Sequence, residues 1–169
     1  PEFLFTWYAC ALLGIVVVTT NPRAAVGEMA YFITHCRARA AIVESGYLGL
    51  IAETGARLDW IAAIPDAAGT VLPEGILPFS AITGDGAALK TEPLDPMTPV
   101  SVQYTSGTTS RPKGVVWTHA NVLWGGHIGA AHNQIGPDDC ALVFTPLCHT
   151  NAMSWGHFCV AWSGGKMVL

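Results

Sequence analysis

The stretch Tyr104-Thr105-Ser106-Gly107-Thr108-Thr109-Ser110-Arg111-Pro112-Lys113-Gly114, YTSGTTSRPKG, lies between two apolar segments in a chain where only 12% of residues are charged. Ser106, Thr108, Thr109 and Ser110 supply hydroxyls. Gly107 and Gly114 allow tight turns and close approach of the backbone. Successive N–H groups in such a turn form a concavity that takes an anion, and Lys113 adds a compact positive charge. The combination suits a polyphosphate. It differs from a Walker A loop, because Pro112 precedes the lysine and Gly114 stands where that motif needs a Mg²⁺-binding hydroxyl. The loop from Ser106 to Gly114 is also too short for a parallel crossover, which takes a dozen or more residues. The flanking strands, Val100–Thr105 and Val115–Trp117, are therefore expected to be antiparallel. A ligand-free turn is the other reading, although a turn by itself does not call for four hydroxyls and a lysine.

Outward from the loop, helix and strand signals alternate. Phe3 to Leu13 reads as a buried helix stopped at Gly14, and Ile15 to Thr20 as a buried strand. Met29, Phe32, Ile33 and Cys36 fall at i, i+3, i+4 and i+7, an amphipathic helix. Ala40–Val43 is a short strand, Tyr47–Leu58 a helix and Trp60–Ile64 a strand. Pro65 to Pro99 carries six prolines and reads as an irregular connection with a short strand near Gly75–Pro78. After the loop, a helix is expected with Trp124, Ile128, Ala131 and Ile135 on one face, then a strand at Ala141–Thr145. A second helical stripe follows (Trp155, Phe158, Cys159, Trp162), and a strand begins at Lys166. The tryptophans at 117, 124, 155 and 162 are read as core. The alternation predicts an α/β fold, a mainly parallel sheet flanked by helices, with the loop hairpin as its antiparallel part.

The 169 residues suffice for one domain with a core, and 51% are hydrophobic. A formal net charge of −4 gives no basic field for nucleic acid. Five scattered cysteines (10, 36, 140, 148, 159) read as reduced thiols, not a disulfide framework, consistent with a cytoplasmic setting. The N-terminal apolar run is shorter than the ~20 residues of a membrane span and lacks the flanks of a signal peptide. Cys140, Cys148, His149, His157 and Cys159 lie near one another in sequence without the C-x₂₋₄-C spacing of zinc sites. They read as core thiols and no metal ligand set. Asp138-Asp139 reads as a turn cap before a strand. Gly125-Gly126-His127-Ile128-Gly129 reads as a close-packing helix face.

Thr105 to Gly114 resembles the phosphate-loop signature of the adenylate-forming superfamily, usually T-S-G-T-T-G-x-P-K-G, with Ser110 in place of the third glycine. Ser-Arg-Pro-Lys-Gly-Val-Val followed by Thr118-His119 is similar to the crotonobetaine/carnitine-CoA ligase group, as are Asn21-Pro22-Arg23 and Glu28-Met29-Ala30-Tyr31. Pro146-Leu147-Cys148-His149 resembles the P-x-x-H segment of acyl-CoA synthetases. The likeness spans nearly the whole chain. It implies a ligase that uses ATP with Mg²⁺ to turn a small-molecule carboxylate into an acyl-adenylate, then passes the acyl group to coenzyme A. An aryl- or fatty-acyl-CoA ligase is the alternative within the class, and a non-catalytic anion-binding protein the alternative outside it. By matching, Thr105, Ser106, Gly107, Thr108, Thr109 and Lys113 hold the phosphates. Arg111 faces solvent, and His149 lines the junction of acyl and nucleotide pockets. On residue type alone, the other reading of His149 is a packed histidine at a strand end. The family's Y-G-x-T-E segment, ribose-binding aspartate, hinge and C-terminal adenylation lysine have no match. Residues 1–169 are therefore expected to be part of an N-terminal adenylation domain that makes no adenylate alone. Ala25 stands where relatives often carry a threonine helix cap.

Overall fold

In chain order the computed structural model gives α1 (Glu2–Leu12), β1 (Val17–Thr19), α2 (Val26–His35), β2 (Ala40–Glu44), α3 (Leu48–Glu53), β3 (Trp60–Ile64) and β4 (Ile76–Pro78). Then come β5 (Pro99–Thr105), β6 (Lys113–Thr118), α4 (His119–His132), β7 (Cys140–Leu142), a π-helix (Asn151–Phe158), α5 (Cys159–Ser163) and β8 (Lys166–Val168). Residues 1–66, 69–86, 89, 91–105 and 111–169 are described. The chain folds as two compact units, one built essentially from Phe3–Asn21 with Glu92–Leu169, the other from Pro22–Thr91.

The unit at 22–91 is a parallel three-stranded sheet, β2-β3-β4, with Ala62 and Ala63 of β3 fully buried. Helix α2 buries Met29 and Phe32, the stripe that the sequence spacing predicts. Its N-cap is Ala25, which makes no side-chain cap bond. The helix expected over 47–58 is shorter. A 3₁₀ turn at Ser45–Tyr47 precedes α3, and Gly55 takes a positive φ of 62° immediately after it, a conformation that ends a helix.

In the other unit, α1 stops as expected. Gly14 adopts φ 69°, and the Ile15 amide reaches back to the Cys10 carbonyl at 2.8 Å, which closes the helix end. β1 pairs parallel with β5, and β5 pairs antiparallel with β6, so the hairpin around the loop is as its length demands. β7 and β8 pair parallel. Among the described residues every strand pairing except β5–β6 is parallel. The strands are distributed over three small sheets. The strand expected at 141–145 is instead Cys140–Leu142, matched residue for residue to the three of β8.

Trp7, Ala11, Val100, Met153 and Phe158 form the core, with Trp117, Val122 and Leu147 packed on it. The Trp7 and Phe158 rings lie 5.1 Å apart. Each such side chain contributes about 1.5–3 kcal/mol by leaving water. Helix α4 packs by its small residues, as the glycine-rich run suggests. A Cβ on Gly126 would sit 2.8 Å from the Phe158 carbonyl oxygen, and one on Gly129 would strike the Cys159 sulfur. The opposite face is the one expected to be core, and that expectation is corrected. Trp124 is 66% exposed, with Ile128 and Ala131 also exposed. Backbone contact on the glycine side leaves the large side chains outward. Trp155 and Trp162 are likewise half exposed, while Phe158 and Cys159 of the same stripe are buried. Here the segment is a π-helix running into α5, whose wider turn rotates the 3.6-residue stripe apart. Cys140 is exposed and not core.

Candidate functional site

The hairpin closes on an in-register pair, Thr105 opposite Lys113. Both are exposed, and the Thr105 hydroxyl donates to the Lys113 carbonyl at 3.5 Å. Next to them Gly114 faces Tyr104. A Cβ there would stand 3.0 Å from Val102 Cγ1 and 3.5 Å from the Tyr104 ring, so the glycine gives the tyrosine room to lie across the hairpin. Among the described residues Lys113 has no carboxylate partner, which leaves its ammonium available to an anion. Ser106, Gly107, Thr108, Thr109 and Ser110 lie outside the described residues. Arg111 is exposed, as expected.

His149 is exposed at the turn that leads into the π-helix. Its amide donates to the Pro146 carbonyl at 2.9 Å, and its own carbonyl accepts from the Met153 amide at 3.1 Å. Its flanking residues are held by two strands. Gln103 on β5 accepts a hydrogen bond from the Thr150 hydroxyl at 2.7 Å, and the Thr19 hydroxyl on β1 donates to the Cys148 carbonyl at 3.4 Å. Thr19 and Gln103 are register partners, and both are buried polar residues. Neighbours in register share a face of the sheet, so this side-by-side pair grips the segment on both sides of His149. One bond reaches the ring. The Asn151 amide donates to Nδ1 at 3.3 Å, and the Asn151 side chain accepts from the Thr145 hydroxyl at 3.4 Å. With Nδ1 accepting, the neutral ring carries its proton on Nε2.

The two halves of the site share β5. Gln103, which holds the histidine segment, precedes Thr105 by two residues, about 7 Å along a strand. Both elements thus lie at the carboxyl end of β5, beside the carboxyl end of its parallel neighbour β1, where open α/β sheets take their ligands. Sequence reasoning names Thr105, Lys113 and His149, and does not name Thr19, Gln103, Thr150 and Asn151, which the structure bonds to the His149 segment. The signal for one of them is present: Gln103 is a long polar side chain inside an apolar strand.

The remaining polar residues disperse. His157 is buried, and its Nε2 lies 2.8 Å from the Tyr8 hydroxyl. Burial holds its pKa below the ordinary value and raises that of Tyr8. Burial likewise raises the pKa of the Cys148 and Cys159 thiols, and the Cys159 thiol donates to the Ser154 carbonyl at 2.9 Å. Asp139 caps its turn by accepting from the Gly136 amide at 2.7 Å. Among the described residues no group of three or more His, Cys, Asp or Glu side chains converges as a metal site, and no helix is long and apolar enough to cross a membrane.

Known proteins resemble this chain in sequence and in fold. The chain matches the family described as AMP-binding enzyme over residues 1–169. It is 32% identical over 157 residues to crotonobetaine/carnitine–CoA ligase of Salmonella arizonae, which covers 88% of this chain and 30% of that protein. It is 30% identical over 156 residues to indoleacetate–CoA ligase of Aromatoleum aromaticum, covering 91% of this chain and 30% of that one. The chain thus spans about a third of the length of the curated relatives it matches. Among solved structures, an anthranilate CoA ligase in complex with anthranoyl-AMP superposes with a TM-score of 0.87. It is 22% identical and covers 99% of this chain and 33% of that chain.

Proposed function

Since the chain belongs to the AMP-binding enzyme family, we propose that it forms part of the N-terminal adenylation domain of an ATP-dependent acyl-CoA ligase. The observation that carries this reading is the shared strand. β5 delivers Thr105 to the phosphate loop and, two residues earlier, anchors the segment of His149 through the 2.7 Å bond from Thr150 to Gln103.

In the proposed reaction, a carboxylate oxygen attacks the α-phosphorus of ATP and the bond to pyrophosphate breaks. A thiol sulfur, that of coenzyme A, then attacks the acyl carbonyl and AMP leaves. Thr105, Ser106, Gly107, Thr108, Thr109 and Lys113 hold the β- and γ-phosphates. Negative charge grows on the leaving pyrophosphate, and a donor already in place stabilises it most where it develops. Lys113, at the hairpin mouth and unpaired with any described carboxylate, fits that task. His149 offers Nε2–H to a carboxylate or phosphate oxygen where the acyl and nucleotide groups meet. Mg²⁺ would neutralise phosphate charge when bound.

The finer reading is a substrate of the crotonobetaine/carnitine kind, in a cytoplasmic enzyme. The identity to an indoleacetate–CoA ligase keeps arylacetates as the alternative. The test is carboxylate-dependent exchange of labelled pyrophosphate into ATP by the full-length protein, run against quaternary-ammonium acids, arylacetates and fatty acids. Exchange with one class selects the substrate. ATP binding with no exchange for any acid favours a non-catalytic anion binder. Residues 1–169 alone are expected to give no exchange. Positioning of nucleotide and acyl group contributes roughly 7–11 kcal/mol to such reactions, and the phosphate loop alone cannot supply it.

A further inference from the structure

The family resemblance points to His149 but says nothing of what aims its ring. The polar bonds around it form one connected device. Thr19 and Gln103 are adjacent in register, both buried, and they fasten the residues immediately before and after His149. Neither bond is needed to complete a sheet ladder. Both run from a strand side chain to the histidine segment, and a polar side chain buried beneath a ligand-binding edge needs such a partner to offset its desolvation. With residues 148 and 150 fixed, the Asn151 amide meets Nδ1 at 3.3 Å, and Thr145 steadies the Asn151 side chain. The outcome at the ring is chemical, since the proton is assigned to Nε2, the nitrogen left to face a ligand.

We propose that Gln103 and Thr19 are positioning residues which, through Thr150 and Cys148, hold His149 as an Nε2–H donor at the carboxyl end of β5. The inference rests on the adenylating function for its kinetic consequence. The geometry of the ring can be tested without that function. A lost clamp leaves the histidine present but free to turn and exchange tautomers, so a donor aimed at one oxygen becomes a donor aimed there only part of the time.

The experiment uses the full-length protein labelled with ¹⁵N-histidine. Thr150→Val and Gln103→Leu each remove one half of the buried bond, and Thr150→Ser keeps the hydroxyl. Thr19→Val with Thr19→Ser gives a second, independent route should the first pair fail to fold. The expected result is that His149 in the parent protein shows the ring-nitrogen shifts of the Nε2–H form. Thr150→Val and Gln103→Leu move both shifts toward a tautomer average, and Thr150→Ser does not. In pyrophosphate exchange, Thr150→Val is expected to lower kcat about tenfold or more with the KM for ATP unchanged, and to cause no further loss in a His149→Ala background. Ring shifts unmoved in the Val and Leu variants, or losses that multiply with His149→Ala, overturn the proposal. If the parent protein shows no exchange with any acid, the proposed function falls and the ring shifts alone decide this inference.

Discussion

Lys113 stands in register with Thr105 at the mouth of the hairpin, exposed, and the proposed function assigns its charge to the leaving pyrophosphate. Lys113→Ala in the full-length protein is expected to lower kcat/KM for adenylation by about 10²–10³-fold, roughly 2.7–4 kcal/mol, as for other donors aimed at developing charge. An unchanged kcat/KM would remove the lysine from the mechanism. His157 carries a different expectation. Its Nε2 lies 2.8 Å from the Tyr8 hydroxyl, and burial lowers its folded pKa below 6.5. The unfolded chain therefore binds the extra proton first. Stability is present above the unfolded pKa and is lost as pH falls below about 6.5 toward the folded value. Melting temperature measured from pH 7.5 to 5 should drop in that window, and His157→Gln, whose amide can still bond Tyr8 but does not titrate, should flatten the drop. At this scale the sequence is legible where chemistry is local. Thr105 and Lys113 are candidates read from one loop, whereas the Gln103–Thr150 bond joins residues 47 positions apart, and no local pattern encodes which polar residue meets which.

Elements were legible where one period governs them. α2 buries Met29 and Phe32 because its apolar spacing is helical and nothing competes. The stretch after His149 misleads for a physical reason: π-helical winding over Asn151–Phe158 turns Trp155 and Trp162 outward although their spacing suits an α-helix. Helix α4 misleads differently, since its glycines, not its large side chains, make the close contact. Gly126→Val should be more damaging than any substitution of the exposed Trp124. It forces a side chain against the Phe158 carbonyl, with a cost of about 1–3 kcal/mol expected for overpacking, read as a lower denaturant midpoint. The two helix starts make a matched pair. Thr118 caps α4 by accepting from the Asn121 amide at 3.2 Å, and Asn121 Oδ1 returns the bond to the Thr118 amide at 3.0 Å. Ala25, at the start of α2, offers no side-chain acceptor. Ala25→Ser should therefore stabilise the fold by about 1 kcal/mol. A midpoint that does not rise would mean that the α2 amides are already satisfied.

At the scale of the whole molecule, the α/β class and the antiparallel hairpin were legible because alternation and loop length are properties of the sequence itself. The direction each helix faces depends on partners far along the chain. That is why large apolar side chains read as core lie outside it: Trp124 and Ile128 on α4, with Trp155 and Trp162 on the segment packed against its glycine face, are each at least 45% exposed, and Leu123 of α4 is exposed beside them. Ala120, Leu123, Trp124, His127 and Trp162 line a shallow groove of about 440 Å³. Apolar surface of this extent is costly in water and drives association. Residues 1–169 expressed alone should therefore elute from a sizing column well above the 17.8 kDa of the monomer and bind a hydrophobic dye. Leu123→Glu together with Trp124→Lys should shift elution toward monomer with little loss of folding, because neither side chain supports the core. Should the 169-residue chain run as a monomer with no dye binding, the outward face of α4 would have to be covered by the chain itself in solution, and the packing of α4 by its glycine side would be the part of the fold to re-examine.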